Sequence, residues 1–176
     1  MEPAKPAPGG ASPPASPAAN SAPPTVDSVA FARRGEAVAG RMAIASMPRL
    51  LSAGVEARGT LSWEIEGFVA RDQLQRQREF LRVRSTFSPW MTCSKCLEPV
   101  AVAELHSDTR FRFAVSESQA AAEDREAEEE EVIAASPHLD LAALVEDEAI
   151  LALPMAPAHP GCDWQSEVGS RPGDDV

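Results

Sequence analysis

The chain has 176 residues, of which 44% are hydrophobic and 24% charged, and its formal net charge is −11. This composition is typical of a globular protein with a sizeable core, and it excludes a fibrous or wholly disordered chain. No run of about eighteen apolar residues and no secretory signal occurs, and three cysteines are too few for a disulfide framework, so we expect a soluble, cytoplasmic protein with no membrane partner.

Proline dominates the first 25 residues, which contain eight prolines and almost no large apolar side chain. Such a segment buries too little surface to offset the entropy cost of ordering, so we predict a disordered tail over residues 1–25. We expect one α+β domain over residues 26–165, with an acidic loop at about 117–135. A flexible tail is predicted over residues 166–176.

Strand patterns recur through the first part of this domain. Apolar and polar side chains alternate in GTLSWEIEGFV, residues 59–69, with the period of two of a half-buried strand. The alternation returns in EFLRVRSTF, residues 79–87, after the polar turn RDQLQRQ. Further strands are predicted at residues 36–44, 99–105 and 109–115. Short connections between successive strands predict an antiparallel meander.

A short helix is predicted in SMPRLLSAG, residues 46–54. Ser46 supplies an N-cap, Pro48 lies in the first turn and Gly54 ends the helix. Further along, residues 117–131 carry eight acids and one Arg. Repulsion between such closely spaced like charges favours a solvated loop or a frayed helix.

A longer C-terminal helix is predicted in SPHLDLAALVEDEAILALP, residues 136–154. Asp140 lies near its start and Pro154 ends it. Its apolar face is predicted to contain Leu141, Leu144, Val145 and Leu151. Three acids occupy the middle of the helix: Glu146, Asp147 and Glu148. They are open to two interpretations: a functional cluster that binds a cation, acts in acid-base chemistry or contacts a partner, or a solvated helix face. Glu148 nevertheless has the spacing of the apolar face.

Two cysteines, Cys93 and Cys96, form a CxxC pair, and His159 and Cys162 repeat the same gap later in the chain. Four such ligands suit a structural zinc site that attaches the C-terminal segment to the strand turn. Two other interpretations stay open. The thiols can act as small buried hydrophobes beside Trp90, or form a thioredoxin-like redox pair, although the sequence after the motif does not resemble the helix that such a pair precedes.

Charge is distributed unevenly along the chain. Residues 31–112 contain thirteen Lys and Arg against nine Asp and Glu, whereas residues 113–176 contain two against sixteen. The acidic segment 117–148 can attract a basic protein. One hairpin region holds five arginines that either contact RNA or form a solvated strand face: Arg71, Arg76, Arg78, Arg82 and Arg84.

No catalytic motif occurs in the sequence. There is no GxSxG nucleophile turn, no phosphate-binding glycine loop and no nucleophile with an evident base. We therefore predict that the protein is not an enzyme.

The order of these features resembles one known family. MTCSKCLEPV, a strongly acidic spacer and LDLAALVEDEAILALPMAPAHPGC together resemble the YceD family of large ribosomal RNA subunit accumulation proteins. The resemblance implies a non-enzymatic factor that supports 23S rRNA processing or accumulation. It also implies that Cys93 and Cys96 are the cysteine pair of the family, and that His159 and Cys162 are its later His and Cys.

Two functional hypotheses follow. The first is a ribosome-biogenesis factor that acts in large-subunit assembly by binding 23S rRNA, its precursor or a basic large-subunit ribosomal protein. The second is a small zinc-stabilised or redox CxxC module that is unrelated to ribosomes.

Overall fold

A computed structural model describes residues 21–72, 75–127 and 130–162 of the chain. A short 3-10 turn at Ile44–Ser46 precedes the second helix. In chain order the elements are β1 (Thr25–Val26), α1 (Ser28–Arg34), β2 (Ala37–Ala43), α2 (Pro48–Ser52), β3 (Thr60–Arg71), β4 (Gln77–Phe87), β5 (Trp90–Thr92), β6 (Pro99–Ala101), β7 (Leu105–Ala114), α3 (Glu117–Glu123), β8 (Glu131–Ala134), β9 (Leu139–Asp140) and α4 (Leu141–Leu151).

The largest sheet has five strands in the order β2-β3-β4-β7-β8. All neighbouring pairs are antiparallel except β7 and β8, which are parallel. The alternation in β3 and β4 places Ile65 opposite Val83 on the buried face of the sheet. This arrangement confirms the predicted α+β class, an antiparallel sheet packed with a C-terminal helix.

The buried face of the sheet is covered by α1 and α4. Phe31 of α1 lies directly against Gly67 of β3, where a Cβ atom would be 2.6 Å from the Phe31 ring. The lack of a side chain at Gly67 therefore allows the close approach of the helix. The core that results is continuous and contains large buried side chains from the helices and the sheet, among them Phe31, Leu50, Leu61, Leu81, Phe111 and Leu141.

The C-terminal helix begins as predicted. The Asp140 carboxylate accepts hydrogen bonds from the Ala142 and Ala143 amides, which satisfies two free N–H groups of the first turn. The prediction for Leu151 is wrong, because this side chain is 72% exposed. The buried face is centred near Val145, and Leu151 lies about 120° around the helix from it at 3.6 residues per turn.

The acidic segment is more ordered than its charge suggests. The predicted loop at 117–135 instead contains α3 and β8, so the alternative of a helix holds for its first part and the strand was missed. Ser116 caps α3 by accepting from the Gln119 amide. The apolar Val132 and Ala120 pack together on the face of the sheet opposite the main core. Burial of these side chains therefore outweighs charge repulsion here.

Three other predictions need correction. Ser46 does not cap α2, since its hydroxyl donates to the Ala43 carbonyl and the N-cap position is Met47. The predicted strand at 99–105 stops at Ala101, and a longer strand starts at Leu105. Helix α1 was missed although Asp27 caps it, with the Ala30 amide 2.8 Å from the carboxylate.

The predicted N-terminal tail mostly lies outside the described residues, as does the predicted tail at 166–176. The last part of the predicted N-terminal tail is nevertheless packed. The Ser21 amide donates to the Arg41 carbonyl, and the Ser21 carbonyl accepts from the indole N–H of Trp63. Thr25 belongs to β1, which pairs with β9. Among the helices of the described ranges, none combines the length and apolar character needed to cross a bilayer.

Candidate metal centre

The CxxC pair lies in the turn between two short strands. β5 and β6 pair antiparallel, with Thr92 opposite Pro99. Within the turn the Cys93 amide donates to the Glu98 carbonyl at 2.9 Å, and the Leu97 amide donates to the Cys93 carbonyl at 3.1 Å. We call residues 93–98 the cysteine turn. Its backbone is closed by its own hydrogen bonds, which fixes the positions from which the two sulfurs project.

The chain after α4 folds back onto the cysteine turn. The Ser94 amide donates to the Pro157 carbonyl at 2.8 Å, and the Cys162 amide donates to the His159 carbonyl at 3.2 Å. Gly161 has a φ of 85°, a left-handed conformation that favours glycine. These contacts place residues 157–162, which we call the returning segment, beside the cysteine turn. The predicted zinc site requires this placement.

All four predicted ligands come together. One ligand atom from each of Cys93, Cys96, His159 and Cys162 lies within 4.8 Å of the others. A tetrahedral zinc with Zn–S bonds of about 2.3 Å holds its sulfur ligands about 3.8 Å apart, so small side-chain movements close this cluster on an ion. Cys93 is fully buried and Cys96 is exposed. The cluster is compatible with a metal site.

The His159 ring is oriented for binding through Nδ1. Its Nε2 lies 3.1 Å from the Pro99 carbonyl, which can only accept a hydrogen bond, so Nε2 carries the proton. Nδ1 therefore presents its lone pair to the sulfurs, 3.4 Å from Cys96 Sγ and 3.9 Å from Cys162 Sγ. A carbonyl that fixes the tautomer of a histidine ligand is a common feature of metal sites.

The thiols have very different acidities. Backbone N–H groups, chiefly that of Cys96, lower the pKa of the Cys93 thiol from 9.0 to about 5. The hydrogen bond to Cys96, together with burial, raises the pKa of Cys162 to about 11. Cys93 is thus held as a thiolate, whereas a nearby cation is needed to ionise Cys162 at neutral pH. A donor set of three sulfurs and one imidazole is one that zinc favours.

The two other interpretations of the cysteines fit less well. Burial as a small hydrophobe describes Cys93 but not the exposed Cys96. A thioredoxin-like pair opens a helix, whereas the chain after Cys96 continues into β6.

The structure separates the three acids of α4. Glu146 is 7% exposed, and its Oε1 accepts from the Arg49 amide at 2.7 Å and the Leu50 amide at 3.0 Å. This carboxylate therefore caps α2, whose own N-cap residue Met47 supplies no side-chain bond. Asp147 is half exposed and bonds to the Arg49 guanidinium at 2.5 Å.

Glu148 points into the protein and is 4% exposed. Thr109 of β7 donates its hydroxyl hydrogen to this carboxylate. Burial raises the pKa of Glu148 above its ordinary value of 4.5, and the bond from Thr109 partly opposes the rise. The interpretation of a solvated helix face is thus wrong for Glu146 and Glu148. Partner binding by the three acids stays a prediction, and Asp147 is the exposed member of the three.

Four of the five hairpin arginines are paired with acids of this chain. Arg76 and Arg78 both reach the Asp72 carboxylate, at 3.0 and 3.3 Å. Arg82 forms two hydrogen bonds with Asp108, at 2.7 and 2.6 Å, across the β4–β7 pair.

The other two arginines of the predicted set also have partners. Arg84 lies 3.2 Å from Glu64, and Arg71 donates to the Gln75 carbonyl at 2.8 Å. RNA binding by these side chains stays a prediction, and it requires phosphates to compete with internal carboxylates.

Sequence reasoning missed the groups that support the metal ligands. The Pro99 carbonyl and the Ser94 amide act through their backbone atoms, which leave no signal in residue type. Trp90 beside the cysteine turn stacks under the Arg58 guanidinium, 4.3 Å from the ring centre. That contact joins positions far apart in sequence and requires the folded structure to be seen.

The fold and the site define a class of small α+β protein in which four candidate metal ligands lie together where the C-terminal segment meets a β-turn. Residues 81–174 match the family described as Large ribosomal RNA subunit accumulation protein YceD, and the chain belongs to this family. The match includes all four candidate ligands and α4. Comparisons with curated proteins and with solved structures gave no significant match.

Proposed function

We propose that the protein is a non-enzymatic, cytoplasmic factor that supports 23S rRNA processing and accumulation during assembly of the large ribosomal subunit. The observation that supports this proposal is the family match over residues 81–174, whose description concerns accumulation of the large ribosomal RNA. The protein would act by binding rRNA, a ribosomal protein or both, without changing a covalent bond.

Charge favours a protein partner for the C-terminal half of the chain. The net charge of −11 repels a polyanion, and residues 113–176 carry two basic against sixteen acidic side chains. The hairpin arginines give the other half some capacity for RNA, although their internal ion pairs must be exchanged for phosphates. A basic ribosomal protein is therefore the first partner to seek, and rRNA the second.

Zinc has a structural role in this proposal. Cys93, Cys96, His159 and Cys162 would hold the ion, which would join residues 157–162 to the cysteine turn. All four positions of a tetrahedral zinc are then occupied by protein, which leaves none for a substrate. A closed site of this kind stabilises structure and does not activate water.

Depletion of the protein in its host tests the function. We expect mature 23S rRNA to fall, its precursors to accumulate and large-subunit particles to decrease in a sucrose gradient, while 16S rRNA stays constant. Expression of the wild-type protein should restore the profile. Unchanged 23S rRNA and large-subunit levels would contradict the proposal.

Metal analysis combined with restoration of 23S rRNA in depleted cells distinguishes between the two functional hypotheses that the sequence analysis gave. We expect one zinc per chain in the wild type and none in Cys93→Ser, and we expect Cys93→Ser to restore 23S rRNA poorly in depleted cells. Ser94→Ala is the matched control, since it alters the neighbouring side chain and keeps the backbone amide. Zinc loss that destabilises the protein without any ribosomal effect would favour the unrelated zinc or redox module.

A further inference from the structure

β8 forms one edge of the five-stranded sheet, where β7 is its only paired neighbour among the described strands. The Ala135 amide, one residue beyond β8, donates to the Ala114 carbonyl of β7 at 2.7 Å. Main-chain groups of successive strand residues point to alternate sides. The amides and carbonyls of Val132 and Ala134 therefore point away from β7. An edge with unpaired main-chain groups is a template for a further strand.

Three of these four main-chain groups are available for pairing. The Asp124 carboxylate accepts from the Val132 amide at 2.9 Å and so occupies the fourth. In the part of the chain that the structure describes, no partner bonds to the Val132 carbonyl or to the amide and carbonyl of Ala134. Two acceptors and one donor can therefore bond to an added strand.

A groove of about 450 Å³ borders this edge, and we call it the edge groove. Residues 132–134 of β8 line it along the strand. Ala120 and Ala121 of α3 form one wall, on the face of the sheet opposite the main core. Leu139 and Leu144 form the other wall, on the core face, and both are partly exposed. The groove thus lies open where a strand paired with β8 would lie.

Negative charge lines the edge groove. Glu117 and Asp124 are among its lining residues, which include no Lys, Arg or His. Glu131 is exposed at the start of β8. Among the described residues, neither Glu117 nor Glu131 has an ion-pair partner. These two carboxylates are therefore free to attract a cationic side chain of a ligand.

Basic residues near the groove offset only part of this charge. Arg125 is exposed in the turn after α3. The buried Arg112 is already paired with Glu123 and Glu130. The acids of the described segment that remain after these pairs outnumber Arg125: Glu117, Asp124, Glu126 and Glu131. The surroundings of the edge groove are therefore acidic.

The two walls determine which extended chain fits. Successive side chains of an added strand point to opposite faces of the sheet. Side chains toward α3 would meet Glu117 and Asp124, which favours Lys or Arg, whereas side chains toward Leu139 and Leu144 would be apolar. RNA and a second copy of this chain would both bring negative charge to the groove and be repelled. A proline-rich segment would lack the amides that pairing needs.

We propose that the edge of β8 binds an extended segment of a partner protein in which basic and apolar residues alternate. The segment adds to the sheet as a further strand. Main-chain bonds to Val132 and Ala134 provide affinity, and the two walls of the edge groove provide specificity. That the partner is a protein of the large ribosomal subunit rests on the proposed function.

Calorimetric titration of the full-length protein with capped synthetic peptides tests the inference. The probe is a short peptide of alternating Val and Lys. One control peptide has the same side chains on N-methylated amides, which cannot donate to the Val132 carbonyl. The other alternates Val and Glu, so that it is repelled by the acids of the groove.

Two pairs of variants test the protein side. Ala134→Pro removes the outward amide and keeps the bonds to β7, and Pro is tolerated at such edge positions. Ala39→Pro is its control on β2 at the opposite edge, where the Arg41 carbonyl points outward to the Ser21 amide. Glu117→Gln removes a charge from the groove, and Glu126→Gln removes an exposed charge outside the lining.

We expect the wild type and Ala39→Pro to bind the Val–Lys peptide equally well, and to bind neither control peptide. Ala134→Pro should bind it at least about tenfold more weakly, because the peptide carbonyl loses its donor. Glu117→Gln should weaken binding about two- to fivefold, an effect that added salt reduces, and Glu126→Gln should weaken it less. If Ala134→Pro does not fold, the N-methylated peptide tests the same pairing.

Equal binding of the methylated and unmethylated peptides would overturn the inference, as would wild-type affinity in Ala134→Pro or no binding by the wild type. A dimer in sedimentation that Ala134→Pro abolishes would overturn it too, because the edge would then pair with a second copy. In each case the proposed function still stands if depletion lowers 23S rRNA. Conversely, unchanged 23S rRNA on depletion would refute the proposed function and leave peptide binding by β8 as a separate result.

Discussion

The sheet with its helices and the cysteine turn with its returning segment are held together in different ways. The first, which we call the body, packs Phe31, Leu81 and Phe111 into a continuous apolar core. The second has three-residue strands, one backbone bond between Ser94 and Pro157, and the four candidate ligands. Stability of the body therefore comes from burial, whereas we expect stability of the turn and the segment to depend on a metal held by the candidate ligands.

The two parts nevertheless share an attachment. Met91 of β5 is buried in the main core and pairs with Val55, so the base of the cysteine turn belongs to the body. From this difference we expect that loss of the metal would release the returning segment and the cysteine turn from each other, while the body stays folded. The predictions below test this division.

The largest effect is expected from loss of a core side chain. Phe31→Ala should lower the free energy of unfolding by about 3–5 kcal/mol, because it leaves a cavity between α1 and the sheet. Chemical denaturation should give the same loss with zinc and with a chelator. Phe68→Ala, which removes a partly exposed ring on the other face, should cost less. A fall in zinc affinity of Phe31→Ala would contradict independence of the two parts.

Removal of one candidate metal ligand should destabilise the cysteine turn and the returning segment, and leave the body folded. Cys162→Ser should lower zinc affinity at least about 100-fold, since changes to groups around metal ligands alone cost about 10- to 100-fold. Hydrogen exchange should show lost protection at the Ser94 amide and retained protection at the Leu81 amide. Ser94→Ala should leave both readouts unchanged. Global unfolding of Cys162→Ser would show that the division is wrong.

A smaller effect is expected where α4 caps α2. Glu146→Ala should cost about 2 kcal/mol, because it leaves the Arg49 and Leu50 amides without their acceptor. Asp147→Ala, on the exposed side of the same helix, should cost less than about 1 kcal/mol. Equal losses in thermal denaturation would mean that the cap contributes nothing.

The smallest effect should depend on pH. Burial raises the pKa of Glu148 in the folded protein, so the folded state holds this proton more tightly than the unfolded chain. Stability from the protonated form is present below the ordinary value of 4.5 and is lost as pH rises through the raised pKa. Glu148→Gln should therefore be more stable than the wild type at pH 7, and this advantage should vanish near pH 4.

Unfolding curves of the wild type and of Glu148→Gln across this range provide the measurement. Thr109→Ala should enlarge the difference at pH 7 and move the pH at which it levels off to a higher value, because loss of the bond from Thr109 raises the pKa of Glu148 in the folded protein further. A difference between Glu148→Gln and the wild type that stays constant with pH would contradict the assigned burial effect.

Local patterns were enough to predict the parts of the fold that local chemistry decides. The alternation in β3 and β4 and the start of α4 near Asp140 depend on neighbouring residues, and all three are confirmed. The ligand cluster was also predictable, because repeated CxxC and HxxC spacing expresses a chemical requirement. The missed helix α1 had usable signals, since Asp27 caps it and Gly35 ends it.

Other features depend on contacts that sequence order does not show. The role of Glu146 depends on amides 96 and 97 positions away, which become neighbours only after α2 and α4 pack. The pairing of Arg82 with Asp108 depends on strand register. β8 has only four residues and follows a highly charged segment. Its few apolar residues were too few to indicate a strand against the acidic residues that precede them.

Gly67 sets a limit on the dimensions of the protein. A Cβ at this position would lie 2.8 Å from the Ala32 Cα and 2.9 Å from the Phe31 carbonyl oxygen, both backbone atoms. A smaller residue in place of Phe31 would therefore not make room for alanine at position 67. The backbones of α1 and β3 are in contact where they cross. The distance between the helix and the strand at this point is therefore set by backbone atoms, whichever side chains fill the space around the crossing.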